Sequence, residues 1–385
     1  MYSIIGVLHC YITYNETLGV KFMINIATVF SGIGAPEEAL QQMGINFNIV
    51  FACDNGEREL KIEFEQIEEE TKDMTYDERQ EYVKNLYANT HKENFVKKSY
   101  FANHNITEDR WYEDVRFIDG SRYEGQVDIL IGGSPCQSFS TYGKKMGFED
   151  TRGTLFFFYA NLIKTIKPKV FIYENVPGIK THDKKRTWNR ILEIFNDLDY
   201  DINILDMDAA DYGLAQYRKR VFVVGFYRGL NIQKFERPEK IKLDKKAVDY
   251  LDPQVDLKYY LGKKGFEWVT MPEKHQGRSR VNRDIIGCQT ANQQFNWTGD
   301  FRLESPTDEM RRDGRIYIGI YNNTECVARK LTPSECLKLM GFKNFKIVVD
   351  DNNIYRQSGN SIAVPVLLHI FKSIFACTNN VLNPN

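Results

Sequence analysis

The sequence predicts an α/β fold built on a doubly wound, mostly parallel sheet, with a smaller domain inserted before the chain ends. Three observations predict it. A strand-like run, Ile24 to Phe30, passes at once into a glycine turn and a helix opening at Pro36. Short apolar runs then alternate with helical stretches as far as Phe226. Composition shifts after Phe226 to turn residues and cations, and helical character returns at Leu331.

The second strand runs from Phe47 to Ala52 and ends at Cys53 and Asp54. The stretch between Gly56 and Trp111 reads as a charged, largely helical insertion, with Ile62, Ile67 and Met74 among its few apolar residues. Val127 to Ile131, Val170 to Tyr173 and Arg220 to Phe226 read as further buried strands, separated by helices at Leu155 to Ile166 and Trp188 to Leu198. Between 227 and 328 there are short strand signals and little helical period, and Lys274 to Arg283 reads as a basic loop. Pro333 opens a helix, and Ser361 to Phe375 forms a last apolar one. The expected layout is an extension (1–24), a catalytic and cofactor-binding domain (25–226, with the insertion at 57–111), a second domain (227–328) and a C-terminal return to the first (329–385).

Composition excludes several classes. No apolar run reaches about 18 residues, so no membrane partner is expected, and the first twenty residues lack the basic head and cleavage site of a signal peptide. Seven cysteines without paired CxxC spacing point away from zinc or disulfides and toward a reducing, cytoplasmic setting, and no metal site is expected. A net charge of −1 means that any affinity for nucleic acid rests on a local basic surface.

Gly32 and Gly34, following a strand, let a ligand approach the backbone at the carboxyl edge of the sheet. Asp54, one strand later, suits the ribose hydroxyls of a nucleoside cofactor, leaving dinucleotide and S-adenosylmethionine both open. Cys136 follows a strand end and Pro135, the placement of a nucleophile, and the thiolate is its reactive form. The glycine-containing stretch 141–150 reads as a loop able to close over a substrate. Glu174 ends another strand, so that it and Cys136 converge on one edge. Gln216, Arg218 and Arg220 alternate along an extended segment and are expected to share a face.

In their order, these segments closely resemble the DNA cytosine-5 methyltransferase family. The resemblance rests on Phe30-Ser-Gly-Ile-Gly34, Gly133-Ser-Pro-Cys-Gln-Ser138, Gly147 to Phe157, Glu174-Asn-Val176, Gln216 to Arg220, Arg329 to Glu335 and Gln357-Ser-Gly-Asn-Ser361. It implies a methyltransferase fold that takes S-adenosylmethionine and methylates C5 of a flipped-out cytosine in duplex DNA. Cys136 would attack C6, Glu174 would hold N3, Arg220 would contact the base and Arg218 would position the site. Asn175 would brace the turn at Pro135, and Gln137 and Ser138 would meet DNA. Phe30, Gly32, Gly34, Asp54, Asp114, Leu155, Asn360 and Ser361 would line the cofactor pocket. Region 227–328 corresponds to a target-recognition domain, with Arg278, Arg280 and Arg283 as candidate DNA contacts.

The chain departs from the family at Thr28, where many members carry an acid, and at Asn55, where an aromatic is common. The resemblance further implies a monomer accompanied, in a restriction–modification setting, by an endonuclease acting on the same site. Two rivals stand beside this reading: a tRNA cytosine-5 methyltransferase and a catalytically silent DNA-binding regulator. Cys288 followed by Gln-Thr weighs against the first, and Cys136 with Glu174 and Arg220 against the second. A nicotinamide dehydrogenase, suggested by the glycine turn alone, lacks any downstream hydride-transfer site.

Overall fold

The computed structural model describes residues 23–135, 155–230, 232–292, 294–378 and 381–382. The chain forms two compact units. The first takes the described residues up to Met207, Arg220–Glu239 and the described residues from Leu368; the second takes Asp208–Lys219 and Lys240–Leu367.

The first unit is organised by a seven-stranded sheet in the order β3-β2-β1-β4-β5-β7-β6. Its strands are β1 (Ile24–Val29), β2 (Phe47–Cys53), β3 (Trp111–Tyr112), β4 (Ile129–Gly132), β5 (Val170–Asn175), β6 (Tyr200–Asp208) and β7 (Lys219–Tyr227). β3, β2, β1, β4 and β5 pair in parallel, whereas β7 runs antiparallel to β5. The central strands are apolar almost throughout because helices cover both faces of such a sheet. The strand order reverses between β1 and β4, so the crevice outside their carboxyl ends is where a ligand site forms in this architecture.

The helices of this unit are α1 (Ala35–Gln42), α2 (Phe64–Glu70), α3 (Tyr76–Ala88), α4 (Phe95–Asn103), α5 (Leu155–Ile166) and α6 (Arg186–Asp197). Phe156, Tyr159, Leu162, Ile163 and Ile166 of α5 and Trp188, Ile191 and Phe195 of α6 enter the main core, as helical spacing dictates. Burying each such side chain contributes roughly 1.5–3 kcal/mol. The charged insertion carries its own small core: Ile67, Val83 and Tyr87 close over Phe117, and a Thr75–Glu78 capping box starts α3.

The second unit contains α7 (Lys263–Thr270) and a four-stranded sheet of β8 (Ser279–Val281), β9 (Gly299–Glu304), β10 (Gly319–Tyr321) and β11 (Thr324–Lys330), ordered β10-β11-β9-β8. Phe301 and Ala328 on one sheet face pack with Phe266 and Val269 of α7. Helices α8 (Pro333–Lys338) and α9 (Asp351–Asn360) follow, then α10 (Val364–Thr378).

Two expectations change. Lys274 to Arg283 is not a loop throughout: a helical turn, Pro272–His275, leads into strand β8, too short for its alternation to register in the sequence. β6 was not anticipated, because Asp201 and Asp206 interrupt its apolar residues on an edge strand. The stretch Asp351–Thr378 is long and apolar enough to cross a membrane by length and composition, but 56% of its most apolar window is buried and extended backbone at Ser361 divides it. The N-terminal stretch and the expected closing loop at 141–150 lie outside the described residues.

Candidate active site

Two edges of the first unit gather the candidate residues, beginning with the ends of β4 and β5. Glu174 sits one residue before the end of β5, and its carboxylate Oε1 is 2.9 Å from Arg220 Nε, both side chains about 15% exposed or less. The antiparallel course of β7 explains the meeting. Glu174 pairs with Phe222, so Arg220, two residues along, lies diagonally opposite on the same face. A parallel β7 would have started at the far edge of the sheet. Gly133 is required by close approach: a Cβ there would lie 2.8 Å from Glu174 Oε2 and 3.0 Å from its carbonyl oxygen.

Asn175 is buried and donates from Nδ2 to the Ser134 carbonyl at 3.0 Å, tying β5 to the turn that leads through Pro135. Ser134 Oγ and Tyr173 Oη lie 2.9 Å apart beneath that turn. Cys136, Gln137 and Ser138 follow directly and lie outside the described residues.

The second edge lies at the ends of β1 and β2. Phe30, Gly32 and Gly34 all take positive φ, at 55°, 54° and 81°, which wraps the backbone tightly before α1. A Cβ on Gly34 would collide with His104 Nε2 at 2.0 Å, whereas one on Gly32 would meet nothing within 4 Å. The backbone beside Gly32 is therefore bare. Asp54 is joined to it: Oδ2 accepts from Gly32 N at 2.9 Å and Oδ1 from Gly56 N at 2.8 Å. Burial pushes the Asp54 carboxyl above its ordinary value, and these two amide bonds act in the opposite direction. A bare glycine turn beside a fixed carboxylate fits the ribose and amino-acid portions of S-adenosylmethionine.

Asp114 is buried, and its carboxylate is already held by Tyr87 Oη at 2.8 Å and by the Arg116 guanidinium, Nη2 at 2.6 Å. Any contact to an adenine from this carboxylate shares oxygens that Tyr87 and Arg116 already use. Leu155, half-buried at the start of α5, packs against the main core.

Reading the sequence missed the residues that hold this edge. Thr28 is buried and donates from Oγ1 to Glu37 Oε1 at 3.1 Å, so an acid is present beside position 28 although it comes from α1. Tyr100 Oη donates to the same oxygen at 2.6 Å. Glu37 Oε2 is buried with no hydrogen-bond partner among the described residues. His104 Nε2 meets the Ile33 carbonyl at 3.0 Å, and Asn94 Nδ2 donates to the Asp54 carbonyl at 2.9 Å. Tyr87, Asn94, Tyr100 and His104 all lie in 57–111, so this insertion braces the glycine turn, Asp54 and Asp114.

Gln216 and Arg218 belong to the second unit, Arg220 to the first. Gln216 is fully buried; Nε2 donates to the Leu339 carbonyl at 2.7 Å and Oε1 accepts from Gln289 N at 2.9 Å. The buried Arg218 guanidinium donates to the carbonyls of Gln289 at 2.7 Å, Gly359 at 2.9 Å and Ser361 at 2.5 Å. These bonds fix the backbone on both sides of Asn360.

The three recognition candidates also differ from one another. Arg278 is used locally, its guanidinium 5.7 Å from the Trp268 ring centroid and its Nε donating to His275 O. Arg280 is exposed and Arg283 half-buried, and neither forms an ion pair among the described residues. Cys53, Cys326, Cys336 and Cys377 are free thiols, and no group of His, Cys, Asp and Glu among the described residues could hold a metal.

A family model described as C-5 cytosine-specific DNA methylase matches residues 78–376. The type II methyltransferase M1.ScrFI of Lactococcus lactis subsp. cremoris is 36% identical over 293 residues, covering 74% of this chain and 71% of that protein. M.HpaII of Haemophilus parainfluenzae is 33% identical over 307 residues, covering 74% and 82%. Among solved structures, a mutant DNMT2 of Spodoptera frugiperda superposes with a TM-score of 0.65 at 17% identity, covering 91% of this chain and 99% of that one. That likeness concerns the fold alone.

Proposed function

The chain belongs to the C-5 cytosine-specific DNA methylase family, and we propose that it methylates C5 of a flipped-out cytosine within a short duplex sequence. The observation that carries the reading is the meeting of Glu174 and Arg220 at 2.9 Å, beside a turn that Asn175 holds in place just ahead of Cys136. A carboxyl group and a guanidinium at one strand edge suit a cytosine: the carboxyl would face N3 and the guanidinium the exocyclic O2, with the Cys136 thiol as the proposed nucleophile toward C6.

The Cys136 thiolate adds to C6, forming an S–C bond, while Glu174 supports the ring at N3 and electron density moves to C5. S-adenosylmethionine, when bound, supplies an electrophilic methyl group to C5. Removal of the C5 proton then returns its electron pair to the ring, the S–C6 bond breaks, and the thiolate leaves. Phe30, Gly32, Gly34, Asp54, Asp114 and Leu155 of the first unit are proposed to serve the cofactor, with Asp54 accepting from ribose hydroxyls. Arg218 supports Asn360 and Ser361 as a positioning residue. C6 is covered within a stacked duplex, so the base must leave the helix, at a cost of a few kcal/mol. Gln137 and Ser138 are proposed to meet the DNA, and 227–328 to read sequence. A companion endonuclease acting on the same sequence is proposed with this activity, a reading supported by relatives named as type II methyltransferases.

Trapping tests the proposal. A duplex carrying 5-fluorocytosine at the target cannot lose fluorine as a cation, so the S–C6 bond persists after methyl transfer. A denaturation-resistant protein–DNA complex is expected with the native chain and absent with Cys136→Ser; Glu174→Gln should slow its formation about a hundredfold or more. Methyl transfer to ordinary duplex DNA with no complex on the fluorinated duplex would overturn the covalent route.

A further inference from the structure

The polar face of the recognition sheet contains a constructed feature that the resemblance does not supply. Arg280 on β8 pairs with Asp300 on β9 in parallel register, and Arg302 lies two residues along. Period-two alternation puts all three on the face opposite Phe301 and Leu303. Asp300 is 4% exposed; its Oδ2 accepts from Gly287 N at 2.8 Å, and Oδ1 is buried with no hydrogen-bond partner among the described residues. A Cβ on Gly287 would lie 3.4 Å from Asp300 Oδ2, 3.5 Å from Arg280 Nη1 and 3.8 Å from Arg283 Nη1. Two guanidinium groups thus converge over one stretch of bare backbone with a buried carboxylate behind them. The Arg283 guanidinium also sits 6.0 Å from the Tyr217 ring centroid, which limits its swing.

Three other arginines of this unit are held in ion pairs. Arg311 pairs with Glu325, Arg315 with Asp313, and Arg329 with Glu304 and Glu335. Arg280 and Arg283 form no ion pair among the described residues, although Asp300 is close enough for each to pull its carboxyl down against the rise that burial causes. Their guanidinium groups are thus left open to a partner outside the chain.

We propose that Arg280 and Arg283 form a paired-guanidinium reader for a guanine of the recognition sequence, through its N7 and O6 in the major groove, with Asp300 as the positioning residue. The inference rests on the DNA-methylating function proposed above. A guanidinium fork matches two adjacent acceptors on one base edge, the pattern that guanine alone presents in that groove. A phosphate is the competing acceptor, and the acid decides against it. Asp300 lowers the positive potential at this spot, which weakens attraction for an anion and leaves directed bonds to a neutral edge intact.

The test is methylation of duplexes carrying the native site and each single-base variant, by the full chain and by Arg280→Lys, Arg283→Lys and Asp300→Asn. Lysine keeps the charge and loses the fork. Either lysine variant is expected to lower the preference for guanine over other bases at one position about five- to hundredfold, with the salt dependence of DNA binding unchanged. Asp300→Asn is expected to lower the same preference with unchanged affinity for S-adenosylhomocysteine. The lysine variants, which leave the buried residues alone, carry the test if Asp300→Asn unfolds. Equal losses on all sequences would make these arginines phosphate contacts and overturn the proposal, as would an undiminished preference at every position. A native chain that methylates no DNA would remove the underlying function instead, an outcome distinct from native activity with unaltered variants.

Discussion

Asp54 shows how one side chain joins fold and chemistry. It caps the glycine turn through Gly32 N and its own loop through Gly56 N, and burial holds its carboxyl above the ordinary value. A raised folded value means that protonation favours the folded state, a contribution present at low pH and lost as pH rises through that value. The ionised form is therefore kept at some expense, which hydrogen bonds from the proposed cofactor's ribose diol would offset. Affinity for S-adenosylhomocysteine is expected to fall on acidification, beginning above the usual carboxylate range near pH ~4. Calorimetric titration across pH checks it, and Asp54→Asn should bind weakly at every pH with the dependence flattened. A native affinity unchanged down to pH ~4 would remove Asp54 from the cofactor site. Glu174, Asn175 and Asp54 were legible in the sequence because each ends a strand and strand ends share an edge. Glu37, Tyr100 and His104 were not, since their meaning arises from contacts 63 and 71 residues apart in the chain, between Tyr100 and Glu37 and between His104 and Ile33.

At the scale of elements, the direction of β7 does most to assemble the site. An apolar run announces a strand but carries no sign of its direction, so the Glu174–Arg220 pair could not be derived from spacing alone. The short β8 was hidden for another reason: three residues are too few to display a period, and the glycine and cations around them signal a loop. The insertion at 57–111 reads correctly as charged helices, while its inward residues Tyr87, Asn94, Tyr100 and His104 look unremarkable among the charges. α8 is locked to β11 by the buried Arg329, whose Nη1 and Nη2 reach the Glu335 carboxylate at 2.8 and 2.9 Å, and Glu335 in turn closes the Thr332 capping box. Removing one partner leaves the other charge buried. Arg329→Met is expected to cost about 3–5 kcal/mol of the second unit's stability, measured by urea unfolding. A loss below about 1 kcal/mol would show that Glu335 finds protons or water without cost.

Over the whole molecule, the sequence reading of an α/β core and a second, differently built region matches the presence of a seven-stranded and a four-stranded sheet. The unit boundaries are less legible. The segment Asp208–Lys219 belongs with Lys240–Leu367, although its residues read as the approach to a strand of the first sheet. Gln216 and Arg218 explain the difference, since both side chains bond to carbonyls or amides near 289, 339 and 359–361. The proposed methylation of cytosine at one DNA sequence is tested by bisulfite sequencing of DNA from cells expressing the chain. The expected result is 5-methylcytosine at a single short recurring sequence, and none in cells expressing Cys136→Ser. Unmodified DNA from cells containing folded native protein that binds S-adenosylhomocysteine would contradict it.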